Sequence, residues 1–372
     1  MQQNIITKVS RKATKRMDPS EPRTVGLDLG DRTSRYCELD AEGELVEEGS
    51  IATTKKGLVG QFGARPRTRI AIEAGTHSPW ISRLLTSLGH EVIVANPRQV
   101  KLISESSRKD DRMDARMLAR LVRVDPELLR PIRHRSESAQ LDRMRVKVRA
   151  ALIETRTGLI NSVRGMTKSI GERVPACDAD SLSRTRLQEL PLELQKVLKP
   201  LVEQIESLTK AIHEQDKQLE QMAKKQYPET ALLQQVHGVG TLIALTFVLT
   251  VEDKGRFQKS RDAGCYVGLR PKRSESGERQ PQLGITKEGD RYLRTLLVQG
   301  AHLILNKRGP DSDLKRWGLQ LAERGGSNAK KRAIVAVARK LAVLLHRLWV
   351  TGEEYEPLRN SLAREKANAA AA

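Results

Sequence analysis

Aromatic residues are scarce in this chain: phenylalanine, tyrosine and tryptophan together make up 3% of 372 residues. Rings supply much of the buried area of an ordinary globular core. Their shortage, beside 38% apolar and 30% charged residues, points to long exposed helices rather than one large core. Cysteine is equally thin. Cys37, Cys177 and Cys265 are odd in number, far apart, and show neither CxxC nor Cys/His spacing. That excludes a disulfide framework and a thiolate zinc site, and it suits a reducing compartment. No apolar run approaches the ~18–20 residues of a membrane-spanning helix. The first twenty residues hold Lys8, Arg11, Lys12, Lys15 and Arg16 but no apolar stretch of the secretory kind, so no signal peptide is expected. A cytoplasmic protein without membrane association fits these absences.

What the chain has in excess is positive charge. Lysine and arginine number 66 against 46 acidic residues, a net +20. A surplus of this size implies a polyanionic partner, because each cation that neutralises a phosphate releases counterions. Nucleic acid, and hence a nucleoid location, is the expectation.

Five segments are distinguished along the chain: a disordered basic arm (1–22), an α/β domain (23–130), a helical middle (131–226), a mainly helical C-terminal domain (227–355) and a disordered tail (356–372). In RTVGLDLG, Val25, Leu27 and Leu29 alternate with Gly26, Asp28 and Gly30, the period of a half-buried strand. SRYCELD and GELVEEGSI follow, joined through Asp40-Ala41-Glu42-Gly43 as a hairpin. TRIAIEA reads as a short strand, Ser78-Pro79 opens a helix, and HEVIVAN reads as another strand. Three meandering strands followed by strand, helix and strand is the order of a ribonuclease-H-like α/β domain. In the middle region Leu201, Ile205, Leu208, Ile212, Gln215, Leu219 and Met222 follow steps of four and three, the seam of a coiled coil with one polar position. Leu141, Val148, Leu152, Leu159, Val163, Met166 and Ile170 offer a partner helix, antiparallel in the same chain or across a dimer. Tyr227-Pro228 ends that region, and a long basic helix is expected around Lys330–Trp349.

Several residues could carry chemistry. Asp28 lies on the polar side of an apolar strand, where a carboxylate is costly unless paired or bound to a metal. Glu73 ends a strand that would neighbour it. Asp111 and Asp114, in KDDRMDARMLAR, are three apart and share a helical face; Asp110 is one residue too early. Four carboxylates from two strands and a helix would form an oxygen-rich Mg²⁺ site, able to hold a phosphodiester between two ions. Alone, Asp-x-x-Asp on a basic helix is more often a solvated face with arginine partners. The loop GLRPKRSESGERQPQLGITKEGDRYLR surrounds Ser274 and Ser276 with Arg270, Lys272, Arg273, Arg279 and Lys287. A serine hydroxyl is a weak nucleophile until activated, and cations of this kind hold phosphate oxygens. On these residues alone, two turn serines in a DNA-contacting loop explain the stretch as well. In VHGVG, Gly238 and Gly240 suit the turn of a helix-hairpin-helix, whose N–H groups grip phosphate without reading sequence, or a plain interhelical turn.

VGLDLG, AIEAG, KDDRMDARMLAR, VHGVG and the serine loop, in that order, resemble the IS110 family of insertion-sequence transposases and the related IS1111 group, from roughly 23 to 310. The resemblance implies a RuvC-like domain whose Asp-Glu-Asp-Asp set falls on Asp28, Glu73, Asp111 and Asp114. It implies a C-terminal transposase domain whose catalytic serine maps onto Ser276, with Ser274 as fallback. Where the family often has threonine before the third carboxylate, this chain has Asp110. Also implied are Mg²⁺, donor and target DNA, a phosphoserine–DNA intermediate, a structured bridge RNA that selects both DNAs by pairing, and a homo-oligomer, dimer or tetramer. The rival readings are a RuvC-like metal nuclease whose serines only touch DNA, a related site-specific invertase, and a binding scaffold without chemistry.

Overall fold

The computed structural model describes residues 23–97, 111–274, 283–326 and 328–362, with the backbone alone for Asp111 and Arg112. The expected basic arm and the last ten residues lie outside them. The chain divides into two compact units, Met1–Glu137 and Ser138–Ala372.

In the first unit β1 (Thr24–Asp28), β2 (Thr33–Leu39) and β3 (Leu45–Ala52) form an antiparallel meander. β4 (Arg69–Glu73) pairs parallel with β1, and β5 (Glu91–Ala95) parallel with β4, giving the order β3-β2-β1-β4-β5. Each of these strands coincides with an expected one. Between β3 and β4 lies α1 (Lys55–Phe62), which the pattern did not announce. It is short, holds two glycines and buries only Leu58 and Phe62, one turn apart. Its first turn is fixed by the Thr54 hydroxyl, which accepts from the Gly57 N–H at 3.1 Å.

Period two along the strands makes the two faces of this sheet different. On one face Val25, Leu27, Ile70 and Ile72 pack with α1 and with Ile81 and Leu85 of α2 (Ser78–Ser87). On the other face stand small residues: Gly26, Cys37, Ala71 and Ala95. Against them α3 (Asp111–Val124) lays Ala115, Leu118, Ala119 and Val122. At Gly26 backbone meets backbone, and a Cβ would overlap the Ala115 carbonyl oxygen. The missing side chain is what lets α3 lie so low across β1.

In the second unit α4 (Glu137–Ser169) and α5 (Leu192–Gln226) run antiparallel. Val146 packs with Leu219 and Met222, and Ile160 and Val163 with Val202 and Ile205. Arg156 donates to the Thr209 hydroxyl at 3.1 Å. The expected apolar seam is corrected here. Ile205, Ile212 and Leu219 are buried as anticipated, but Val202 and Thr209 turn inward beside them, where Leu201 and Leu208 were expected. On α4 the anticipated Leu141, Val148, Met166 and Ile170 are 49–60% exposed, while Val146, Arg156, Ile160 and Thr167 are buried. The cause is polar: Arg149 pairs with Asp216 across the two helices, and the buried Arg156 pairs with Asp180 of the connecting segment. A count of apolar periodicity cannot register an arginine as a core residue.

The remainder is helical: α6 (Glu229–Leu233), α7 (Thr241–Val251), α8 (Arg261–Tyr266), α9 (Arg291–Ile304), α10 (Asp313–Glu323) and α11 (Ala329–Thr351). α11 is the expected long basic helix. Its Val337, Leu341, Leu345 and Leu348, at helical spacing, are fully buried against Leu293, Leu297 and Ala301 of α9 and the apolar α7. The tail, expected to be disordered from 356, is held as far as Leu362. The Asp313 N–H donates to the Pro357 carbonyl at 2.8 Å, and the Asp313 carboxylate accepts from the N–H groups of Asn360 (2.7 Å) and Ser361 (3.2 Å). Among the described residues no helix is long and apolar enough to cross a membrane.

Candidate active site

β1 and β4 run side by side with Leu27 opposite Ile72. One residue further along each strand come Asp28 and Glu73, the last residues of the two strands, on the face that carries Gly26 and Ala71. Both are half-buried, and both line one cleft of about 360 Å³ with Leu29, Asp31, Ala74, Gly75, Thr76 and His77. Asp28 is thus the closing residue of its strand.

The direction of α3 decides whether the other two carboxylates can join them. Arg116, early in the helix, reaches Glu48 at 3.0 Å, and Glu48 lies opposite Cys37, which pairs with Gly26. Arg123, near its end, donates to the Ala41 carbonyl at 3.1 Å, beyond the Leu39–Thr24 pair. α3 therefore runs antiparallel to β1, and its first turn lies at the end of the sheet where Asp28 and Glu73 stand. Asp111 opens that turn, with its side chain outside the described residues, and Asp114 follows, exposed. Among the described residues no group of three metal-ligating side chains is assembled. The donor set nevertheless fits a hard divalent cation: carboxylate oxygens only, with no thiolate or imidazole in their places.

Sequence reasoning passed over His77 and Asp31 in the same cleft. The Trp80 indole N–H donates to His77 Nδ1 at 3.2 Å, so the His77 proton lies on Nε2, 3.3 Å from the Asp31 carboxylate. The signal was a histidine four residues beyond a strand-ending glutamate, just before a Ser-Pro helix start. Behind it Ser78, fully buried, ties the turn together: its Oγ accepts from the Gly75 N–H and lies 2.9 Å from His134 Nε2. Burial, then the charges of Arg83 and Arg135, hold the His134 imidazole below its ordinary value.

The serine loop is described at its two arms. Pro271 bridges Ile285; the Lys272 N–H donates to Gly284 O and the Thr286 N–H to Arg270 O, both at 2.9 Å. At the base Gly268 is left-handed (φ +70°), and a Cβ would meet the Glu288 backbone. The Arg294 guanidinium clamps both arms, donating to Val267 O at 3.0 Å and Glu288 O at 2.8 Å. Arg270, Lys272, Arg273, Ser274 and Lys287 are exposed on these arms. Ser276 and Arg279 lie outside the described residues. In VHGVG, Gly238 is left-handed (φ +84°) and packs on Gly300 of α9, with room for a Cβ denied by the Gly300 oxygen at 2.7 Å. Gly240 precedes α7 as its N-cap, with no side chain capping the first turn.

An α/β unit with carboxylates at strand ends, followed by a helical unit presenting a basic loop, defines the class, a transposase, once the comparisons are added. A transposase model of the DEDD IS110 type matches residues 25–171, and a model described as the transposase IS116/IS110/IS902 family matches residues 230–315. The transposase for insertion sequence element IS1111A of Coxiella burnetii is 27% identical over 92% of this chain and 93% of its own length. The transposase-related protein y4rJ of Sinorhizobium fredii is 30% identical over 88% and 94%. The transposase for element IS1328 of Yersinia enterocolitica is 27% identical over 86% and 94%. The chain belongs to the IS110 family of transposases, enzymes that cut and rejoin DNA.

Proposed function

We propose that this transposase cuts DNA with the Ser276 hydroxyl, beside a divalent cation held by Asp28, Glu73, Asp111 and Asp114. The observation that carries the acidic half is the convergence of two strand ends and the first turn of α3 at one end of the sheet. A DEDD transposase domain implies divalent-metal use; Mg²⁺ suits an all-oxygen donor set. When bound, the ion supplies charge neutralisation at the phosphate and at the oxygens entering and leaving it.

The serine step balances without an outside energy source. Ser276 Oγ gives up its proton to a base and bonds to phosphorus, and the P–O bond to one deoxyribose oxygen breaks. That oxygen leaves as a free hydroxyl once protonated. The phosphodiester energy is conserved in the phosphoserine link, so attack by the hydroxyl of another strand releases Ser276 and rejoins DNA. Arg270, Lys272, Arg273 and Lys287, exposed on the clamped arms, together with Arg279, hold the phosphate oxygens and stabilise charge on phosphorus. The turn at Gly238–Gly240 adds backbone N–H contacts to phosphate. Such contacts choose no sequence. The surplus of +20 and the scarcity of rings support a protein that grips backbones while a structured bridge RNA pairs with donor and target DNA. The working species is a homo-oligomer on both DNAs.

The test is a denaturing-gel assay for protein–DNA adducts on a cognate junction with Mg²⁺. Ser276→Ala loses the adduct and strand exchange while DNA affinity stays within about twofold of wild type, since a lone uncharged hydroxyl carries none of the phosphate attraction. Asp28→Asn, or chelation of the metal, also loses both. Undiminished cleavage by Ser276→Ala would leave a RuvC-like nuclease as the correct reading.

A further inference from the structure

A cleft of about 800 Å³ in the second unit is lined by residues between 313 and 361, apart in sequence from both candidate half-sites. It runs between α10 and α11, and the segment 355–361 closes one end. Its floor is apolar and aromatic: Trp317 from α10, Val343 and Leu344 from α11, and Tyr355 from the closing segment. Four cations, Arg316, Lys340, Arg347 and Arg359, line the cleft against two acids, Asp313 and Glu356. In a chain with only 3% aromatic residues, a half-exposed tryptophan and a tyrosine in one basic cleft are a concentration worth explaining.

Two groups there are poised for a ligand. The Lys340 ammonium lies over the Trp317 ring, 3.7 Å from its centroid, a cation–π contact. Burial also holds that ammonium below its ordinary lysine value. Arg347 has its Nε buried without a hydrogen-bond partner in the described structure, a cost of about 1–3 kcal/mol that an acceptor would relieve. Arg316 and Arg359, by contrast, already pair with Asp311 and Glu353. The wall is stapled by the Asp313 bonds to 357–361 described above, so the cleft is preformed.

We propose that this cleft receives one unpaired nucleotide of a single-stranded polynucleotide, with its base on Trp317 and its phosphate between Lys340 and Arg347. Flat aromatic floor, cationic rim and a volume of several hundred Å³ are the features such a site needs. Entry of the base displaces the ammonium from the ring face to the rim, where the phosphate lies. Backbone recognition elsewhere then leaves base stacking concentrated at a single point. The inference rests on the protein acting on nucleic acid and is independent of Ser276 chemistry.

Photocrosslinking tests it directly. Full-length protein is irradiated with short oligothymidylate, or oligouridylate for the RNA source, carrying one bromouracil, and crosslinked peptides are identified by mass spectrometry. Crosslinks on Trp317 or Tyr355 are expected, and whichever polymer gives them names the source. In parallel, Trp317→Ala weakens single-strand affinity roughly tenfold with the salt slope unchanged, and Trp317→Phe keeps most of it. Arg347→Gln lowers the salt slope by about one. Crosslinks confined to other regions would overturn the proposal even if Trp317→Ala fails to fold. So would a folded Trp317→Ala protein, checked by its melting temperature, with wild-type affinity for both polymers.

Discussion

The two candidate half-sites are positioned by opposite means. Asp28 and Glu73 stand at the ends of parallel strands, in a sheet face stripped to Gly26, Cys37, Ala71 and Ala95 so that α3 can press against it. Nothing there can shift without moving the sheet. The serine loop instead projects on two arms joined by one bridge and a few backbone bonds, cinched by Arg294 and a left-handed Gly268. The acidic half is fixed by packing, the serine half by a clamp.

The largest effect separating the two is expected at Gly26. Gly26→Val puts a side chain where the α3 backbone lies, and backbone cannot yield as a rotamer can. A loss of about 3 kcal/mol or more is expected, read as early melting of the first unit by calorimetry. If Gly26→Val melts like wild type, the packing account of the acidic half is wrong. On the other side, Arg294→Met leaves two carbonyl acceptors without their donor, worth about 1–3 kcal/mol locally. Amide exchange in 268–272 and 284–287 should rise and adduct formation should fall, while α3 and the sheet remain protected. Arg294→Lys, keeping one donor, should fall between.

Each half was legible in the sequence to a different degree, for the same reason. Strands β1 to β5 were readable because alternation in VGLDLG and RIAIE is a local consequence of a two-faced sheet. The four carboxylates were readable as residue types and spacing, but the antiparallel run of α3 along β1, which puts its first turn at the Asp28–Glu73 end, depends on Arg116, Arg123 and Gly26 contacts no local window contains. The helical hairpin was misjudged by one residue at alternate positions because its seam holds Arg149, Arg156 and Asp216, which hydropathy counts as surface. α1 and His77 were missed because two buried residues and a lone histidine give no periodic signal.

A pH titration sharpens the contrast between units at moderate effect. His134 in the first unit and His346 in the second are both held below the ordinary histidine value of 6.5, chiefly by burial. A depressed histidine means the unfolded chain takes the proton first. Its contribution is therefore complete above about pH 6.5 and is lost as pH falls below that toward the folded value. Thermal stability should drop on acidification below that point in both units. His134→Gln should flatten the drop for the first unit alone; if it flattens neither, His134 does not titrate as described.

A pair of valine substitutions tests the displaced seam. Val146 is 1% exposed and Val148 is 50% exposed. Val146→Ala should cost about 1.5–3 kcal/mol, whereas Val148→Ala should stay within about 0.5 kcal/mol, both by denaturant unfolding. Equal costs would restore the seam read from periodicity.

The measurement nearest the central claim is peptide mapping of the covalent complex. The protein is trapped on a suicide DNA substrate with Mg²⁺, digested, and sequenced by mass spectrometry. Ser276 carrying the nucleotide is the predicted result, with the complex absent when Asp28→Asn replaces the wild type. A nucleotide found on any other residue, or cleavage to completion with no residue modified, would contradict it.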